Sequence, residues 1–414
     1  MASRFADWQT VTLEELGRFR NGVNFSQDDY GAGIPIINVK QLYRGRFAAI
    51  QDILELRKGA VRNLESVKLK AGDILFARSS VKASGAGQVA MVGQCPANTV
   101  FSGFIIRYRV EALDRADPRF LNYVLRSPVY RELLTRIGSG TTITNLSQDT
   151  LRAVEVDLPP LLEQRTIAEI LGALDDKIEL NTRMNDTLEA MAIALFRSWV
   201  VNLDAERAKA ANLVRDRVLE IGDGYRAKNS ELGTKGLPFI RAGNLNNGFD
   251  TAGADRLCME SVGKAGSKVS CTGDVAFTSK GTIGRFARVT EQTDQFVYSP
   301  QICYWRSLDQ SLLEPVILYC WMLSDDLREQ IAAVAGQTDM APYVSLKDQR
   351  QMTMPIFPPS QHAVANQIAP ILARQSANVA EVKTLAGLRD ALLPKLISGE
   401  LRVKDAERFV EAAL

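Results

Sequence analysis

Between Pro160 and about Val201 the apolar positions return every three to four residues. Ile167, Leu171, Leu174, Ile178, Leu188, Ala192, Leu195 and Trp199 fit one heptad seam, with Asn181 and Asn185 set into its middle. A second stretch near the C-terminus repeats the pattern through Ile368, Ile371, Val382, Leu385, Leu392 and Leu396. It is polar at Gln375, Asn378 and Arg389. The spacing predicts two long helices. Polar residues in such a seam cost stability but fix register and partner. Each seam is too narrow to be covered by a globular head, so the simplest arrangement packs the helices on each other, antiparallel. The alternative has each helix cap its own head. About 35 helical residues span roughly 50 Å.

Elsewhere the period shortens. Ile34–Val39, Asp73–Arg78, Gln88–Val92 and Val100–Val110 are strand-like runs rich in branched and aromatic residues. A helix is expected over about Pro118–Ile137, with Phe120, Tyr123, Val124, Leu133 and Leu134 on its apolar side. A Gly/Ser/Thr loop at Gly138–Thr142 and a strand at Ala153–Leu158 follow. The same order recurs as Pro238–Arg241, Asp274–Ser279, Arg285–Val289, Phe296–Trp305, a helix near Leu313–Val334, a loop at Gly336–Thr338 and a strand at Met352–Phe357.

This recurrence is an internal duplication. Gly33-Ile34-Pro35, Gly72-Asp73-Ile74-Leu75-Phe76, Leu158-Pro159-Pro160 and Gln164 return as Gly236-Leu237-Pro238, Gly273-Asp274-Val275-Ala276-Phe277, Phe357-Pro358-Pro359 and Gln361. The offset stays near 200. That period is too long for a solenoid, so a domain is duplicated. The expected fold is α+β: two similar mixed α/β heads joined by two long helices in an antiparallel coiled coil, with a pseudo-two-fold internal repeat. Boundaries fall at 1–160 (first head), 161–203 (first rod), 204–357 (second head) and 358–414 (second rod).

The 414 residues suffice for two or three domains with real cores. Five scattered cysteines without paired spacing read as reduced thiols, and the opening residues lack the apolar core of a signal peptide. The longest apolar run, Pro315–Leu323, is too short for a membrane span. A cytoplasmic protein is therefore expected. The net charge of +2 is unevenly spread: residues 1–160 carry 21 basic and 16 acidic side chains, and residues 161–206 carry 4 and 9. The first head can lie on an anion, whereas the acidic first rod suits a protein partner. A merely solvated surface would give the same imbalance.

Catalytic motifs are missing. The one histidine, His362, leaves Ser-His and metal-His constellations without a partner. No P-loop is present. Gly85-Ala86-Gly87 and Gly281-Thr282-Ile283-Gly284 lie between strands and read as hairpin turns. No Asn/Asp-Pro-Pro-aromatic tetrad of an amino-methyltransferase occurs, and Glu381-Val382-Lys383 lies on the rod.

The heads offer polar and basic loops instead. The first head has Lys40, Arg44 and Arg46 after one strand, and Arg78, Ser79, Ser80 and Lys82 after another. The second has Arg241, Asn244, Asn246 and Asn247, then Ser279, Lys280, Thr282 and Arg285. Arg and Lys suit guanine edges and phosphates, and Asn suits adenine. Taken singly each could be a solvated turn residue; as a set they favour nucleic acid. Matching loops with different residues suit two heads that read different sequences.

Leu158-Pro159-Pro160-Leu161-Leu162-Glu163-Gln164-Arg165-Thr166-Ile167 is followed by Leu171-Gly172-Ala173-Leu174-Asp175-Asp176-Lys177-Ile178. Leu188–Ala192, Leu195–Trp199 and Leu388–Leu401 come later in the chain. In this order, around duplicated heads, the chain resembles the DNA-specificity subunit of type I restriction-modification enzymes over essentially its full length. Pro359-Ser360-Gln361-His362-Ala363-Val364 is a looser copy of the first rod's start. The resemblance implies two target recognition domains that bind double-stranded DNA, each reading half of a split site, with the coiled coil fixing the spacer. It implies a non-catalytic chain that holds no cofactor. Two methyltransferase subunits would use S-adenosylmethionine, and restriction/translocase subunits would use ATP and Mg. Two rivals remain: a catalytic subunit with its own recognition domains, and a coiled-coil scaffold that binds no DNA.

Overall fold

The repeated Gly-Asp pairs show why the two heads fold alike. Gly72 and Gly273 adopt φ of 88° and 93°, a left-handed conformation that glycine tolerates without a Cβ penalty. Each hands the chain to a buried aspartate at the start of a strand. Asp73 accepts from Arg109 Nε at 2.6 Å and Nη2 at 2.7 Å. Asp274 accepts from Arg306 Nε at 2.6 Å and Nη2 at 2.8 Å. Each pair therefore bolts two neighbouring strands together.

The computed structural model describes residues 7–43, 45–80, 85, 87–138, 144–246, 248–335 and 343–411. They form two units. Unit 1 comprises Met1–Ile178 and Lys383–Leu414, and unit 2 comprises Glu179–Val382. Each unit thus takes in a head and part of both long helices.

In unit 1 an antiparallel four-stranded sheet runs in the order Gly17–Asn21, Ile105–Val110, Ile74–Ala77, Val89–Met91. A three-stranded sheet, Leu54–Arg57, Gly33–Ile37, Val100–Phe101, lies beside it, and its last pair is parallel. Gln9–Thr12 pairs with Glu155–Leu158. In unit 2 the corresponding sheets are Leu219–Asp223, Ile302–Ser307, Val275–Thr278, Phe286–Arg288, and Leu232–Gly233, Arg256–Leu257, Leu237–Ile240, Val297–Tyr298. Arg207–Lys209 pairs with Thr353–Pro355.

Four expected elements are divided, among them the Phe296–Trp305 run, which splits into Val297–Tyr298 and Ile302–Ser307 in different sheets. The Val100–Val110 run splits at a turn, so Val100–Phe101 joins one sheet and Ile105–Val110 the other. The expected helix over Pro118–Ile137 is two helices, Pro118–Arg126 and Pro128–Gly138. Ser127, at ψ 154°, takes the extended conformation that a following proline favours. The second head's helix likewise divides into Pro315–Met322 and Asp325–Ala335.

The long helices run Leu161–Val201 and Gln361–Ile397. The C-terminal segment holds one more helix, Val403–Glu411, which buries Ala406 and Val410 in the core of unit 1. In unit 1, Leu171 and Leu174 share a core with Leu385, Leu392 and Leu396, and Arg389 Nη1 donates to Asp175 Oδ1 at 2.7 Å. In unit 2, Ala192 and Phe196 share a core with Ile368 and Leu372, and Asn378 Nδ2 donates to Asn185 Oδ1 at 3.0 Å. The partners run in opposite chain directions. Asn181 and Asn378 are buried, and Ile178, Leu188, Ile371 and Val382 are half-buried.

Two seam positions shift. Leu195 is 36% exposed and Phe196 is buried in its place; Leu372 rather than Ile371 is fully buried. A strict heptad assumes 3.5 residues per turn, but seven turns of a straight helix take about 25 residues, which leads from Leu171 to Phe196.

A glutamine anchors each head to the start of its helix. Gln164 Nε2 donates to Pro159 O at 2.8 Å and Arg115 O at 2.9 Å, and its Oε1 accepts from Asp117 N. Gln361 does the same with Leu312 O, Phe357 O and Glu314 N. His362 bonds Glu314 and Ser311 O, which gives it a structural role.

Candidate nucleic-acid interface

Two loops meet at the same place in each unit. The first follows the strand Gly33–Ile37 or Leu237–Ile240. Asn38 and Arg241 begin the short turns Val39–Leu42 and Ala242–Asn244, and Gln41 and Asn244 close them by accepting from Asn38 N and Arg241 N at 3.1 Å. The second is a β-hairpin turn, between Ile74–Ala77 and Val89–Met91 or between Val275–Thr278 and Phe286–Arg288.

Different residues tie these loops together. In unit 1, Tyr43 Oη donates to Gly85 O at 3.3 Å. In unit 2, Arg285 Nη1 donates to Asn246 Oδ1 at 2.9 Å. A third segment joins them. Phe104 O accepts from Arg78 N at 2.8 Å, and Gln301 O accepts from Ser279 N at 3.0 Å. The far side of each hairpin is flanked by a further stretch: Ser79 and Ser80 pair with Asn145 and Thr144, and Lys280 bridges to Tyr343.

The candidate residues divide accordingly. Lys40, Arg241, Asn246, Lys280 and Thr282 are exposed; Arg78, Ser79, Asn244 and Arg285 are partly so. Arg241 pairs with Asp255, and Lys280 Nζ lies 4.5 Å from the Tyr343 ring centre. Two candidates point inward. Ser279 is fully buried, with Oγ on Gln301 O. Arg46 turns onto the first long helix: Nη1 donates to Tyr123 Oη at 3.0 Å and Gly172 O at 3.2 Å, and Nη2 pairs with Asp176. Burial lowers and the Tyr123, Asp176 and Asp175 partners raise the Arg46 pKa, and the partners prevail. These two residues build the site, and solvent contact falls to their neighbours. Arg44, Lys82 and Asn247, and the loop residues 139–142 and 336–338, lie outside the described residues.

Four surface residues at this site escaped the sequence reading. Phe104 is 63% exposed, Tyr43 46% and Tyr343 39%, and Gln301 is exposed. Aromatic faces at a polar surface suit base stacking or a wedge between base steps. Phe104 sits in a run of branched residues that reads as strand interior, and only the turn at Ser102–Phe104 turns it outward.

Among the described residues no group of three or more His, Cys, Asp or Glu is placed to hold a metal ion, and no helix is long and apolar enough to cross a membrane.

Residues 6–190 match the family described as the type I restriction modification DNA specificity domain. The specificity subunit of the MjaIX type I restriction enzyme of Methanocaldococcus jannaschii is 25% identical over 427 aligned residues, covering 96% of this chain and 94% of the relative. The HindI specificity subunit of Haemophilus influenzae is 31% identical over 52% of this chain and 45% of its own length. The crystal structure of the type I restriction-modification S subunit from M. genitalium shares the fold, with a TM-score of 0.57 at 16% identity over 96% of this chain and 97% of that one. With duplicated heads and paired long helices, the chain carries a type I restriction modification DNA specificity domain over residues 6–190 and is similar along nearly its whole length to a type I specificity subunit.

Proposed function

We propose that each unit reads one half of a bipartite DNA target with its composite surface of two tied loops. The paired helices set the number of base pairs between the halves. The chain itself does no chemistry and holds no cofactor. It recruits two methyltransferase subunits, which use S-adenosylmethionine, and restriction subunits, which use ATP and Mg.

One observation carries this reading. The same two loops are hydrogen-bonded together in both units, on the same backbone frame, by unlike residues: Tyr43 to Gly85 and Arg285 to Asn246. A constant frame with changed side chains is what two readers of different sequences require, because bases are distinguished by side-chain donors and acceptors. Adenine methylation takes the base out of the stack, and the exposed Phe104 and Tyr43 suit a surface that meets distorted DNA.

The test is a methylome. The chain is co-expressed with a type I methyltransferase subunit in a host free of adenine methylation. The expected result is modified adenine in a split motif with a fixed gap. A complex that forms yet adds no methylation would overturn the reading. S-adenosylmethionine binding by the isolated chain would point to a catalytic subunit.

A further inference from the structure

Arg20 and Arg107 stand directly opposite each other on neighbouring strands of unit 1, and Arg18 and Arg109 form the next such pair. Like charges opposed in this way destabilise a sheet. Arg109 is neutralised by Asp73. Among the described residues Arg18 has only Glu111, at 3.6 Å with both side chains largely exposed, a pairing of little worth. Neither Arg20 nor Arg107 has an ion-pair partner among the described residues. Arg107 is 6% exposed; Nη1 donates to Lys68 O at 3.2 Å and Ser66 O at 3.4 Å, and Nε has no partner. Burial, then the positive charges of Arg109 and Arg20, lower its pKa from the ordinary arginine value, against the pull of Asp73. A buried cation held by two carbonyls leaves its charge uncompensated beneath exposed Arg18 and Arg20.

Unit 2 shows that the frame does not need this charge. Opposite Arg306, the counterpart of Arg109, stands Glu220; opposite Tyr304, the counterpart of Arg107, stands Gly222. Tyr304 Oη donates to Glu220 Oε1 at 2.7 Å, and a Cβ on Gly222 would lie 2.5 Å from Tyr304. The same corner is closed and neutral there.

The basic edge continues the composite surface of unit 1. Val23, just past the edge strand, donates to Phe101 O at 2.8 Å and accepts from Gly103 N at 2.7 Å. That turn presents Phe104, whose carbonyl holds Arg78. Arg107 is two residues along the strand from Ile105, about 7 Å. We propose that the Arg18–Arg20 edge of unit 1 is a phosphate-binding track, which holds the DNA backbone where the duplex runs on past the bases this unit reads. It rests on the DNA-reading function above. Arg18 and Arg20 make the contacts, and Arg107 supplies field from below. The matching edge of unit 2 carries Glu220 and Gly222 instead, so the two halves of the site are held unequally.

The test uses the full chain and a long mixed-sequence duplex, with affinity measured against salt. Each neutralised phosphate adds about 0.9 to the slope of log K against log salt, so Arg18→Gln with Arg20→Gln should flatten the slope by about 2. Arg57→Gln with Arg62→Gln removes the same charge elsewhere on unit 1 and should leave the slope nearly unchanged. The track is wrong if the first variant keeps the wild-type slope, or if the control flattens it equally. Unchanged DNA binding with weakened capture of a methyltransferase subunit would also overturn it, in favour of an acidic protein partner. Wild-type chain without salt-dependent DNA binding would overturn the proposed function as well.

Discussion

Units 1 and 2 keep the same buried polar fastenings and differ in almost everything laid over them. The aspartate–arginine bolt recurs with the same partners, and the glutamine anchor again joins two carbonyls and one amide. At the same edge-strand positions, exposed Arg18 and Arg20 give way to Glu220 and Gly222. A buried charge or amide that loses its partner costs free energy whatever the protein binds, so the frame resists change. Exposed loop residues carry no such cost. The difference separates what holds a head together from what a head reads.

The largest test of this division is to cut the bolts. Asp73→Ala strands the Arg109 guanidinium beside a backbone carbonyl, and Asp274→Ala leaves Arg306 only backbone carbonyls and Glu220 at 3.5 Å; each should cost about 3–5 kcal/mol. Asp274 should cost more, because it also accepts from Tyr298 Oη at 2.9 Å and Cys271 N at 2.9 Å, whereas Asp73 adds only Lys70 N. Hydrogen exchange reads the two units separately in one chain. Equal losses, or a larger loss at Asp73, would break the ranking.

A second test addresses an asymmetry in the helices. Ala194-Leu195 and Ala391-Leu392 occupy corresponding places near the helix ends, yet Leu195 is 36% exposed and Leu392 5%. The helix Val403–Glu411 adds Ala406 and Val410 to the core that holds Leu392. Leu392→Ala should destabilise unit 1 by about 2–5 kcal/mol, as buried leucine truncations do. Leu195→Ala should cost unit 2 well under half of that. Similar values by urea unfolding would mean that the extra helix contributes nothing to the packing of Leu392.

The glutamine anchors give a third and smaller contrast. Gln164→Ala leaves Asp117 N and two carbonyls unpaired, at about 1–3 kcal/mol. Gln361→Ala should cost less, since its bond to Phe357 O is already 3.5 Å long. The check is the difference in amide protection of Asp117 and Glu314; equal loss would sink the contrast.

The frame was legible in the sequence because its signals are long or repeated. Gly72-Asp73 and Gly273-Asp274 mark the same strand start twice, and two seams of nearly 40 residues cannot be confused with a strand. What failed was local. Pro128 broke a helix that periodicity alone had carried through. The heptad hid the drift from Leu195 to Phe196. The segment 358–414 read as one rod holds a second helix, because Ser398-Gly399 is too short a break to stand out. At the interface, residue type was readable but direction was not. Arg46 and Ser279 have the chemistry of DNA contacts, yet they sit on short loop segments with no periodicity to say which way they face. Phe104 was overlooked for the converse reason, since its type suggests a core and its turn exposes it.

The subtlest expected effect concerns the ties between the reading loops. Tyr43→Phe removes one hydroxyl and its bond to Gly85 O, and Arg285→Gln removes the reach to Asn246. A neutral hydrogen bond of this kind is worth about 1 kcal/mol, so neither change should unfold its unit. Each should instead loosen two loops that must present donors and acceptors together. Discrimination against a wrong base in a single half-site should fall by up to about tenfold, the equivalent of about 1.4 kcal/mol. The other half-site should be read as before, because its own tie is untouched. Methylation of substituted sites by the co-expressed complex gives both halves in one experiment. If Tyr43→Phe relaxed both halves equally, the two surfaces would not be separate readers. If it relaxed neither, the tie between the loops would be a packing detail, and discrimination would rest on side chains that each loop holds by itself.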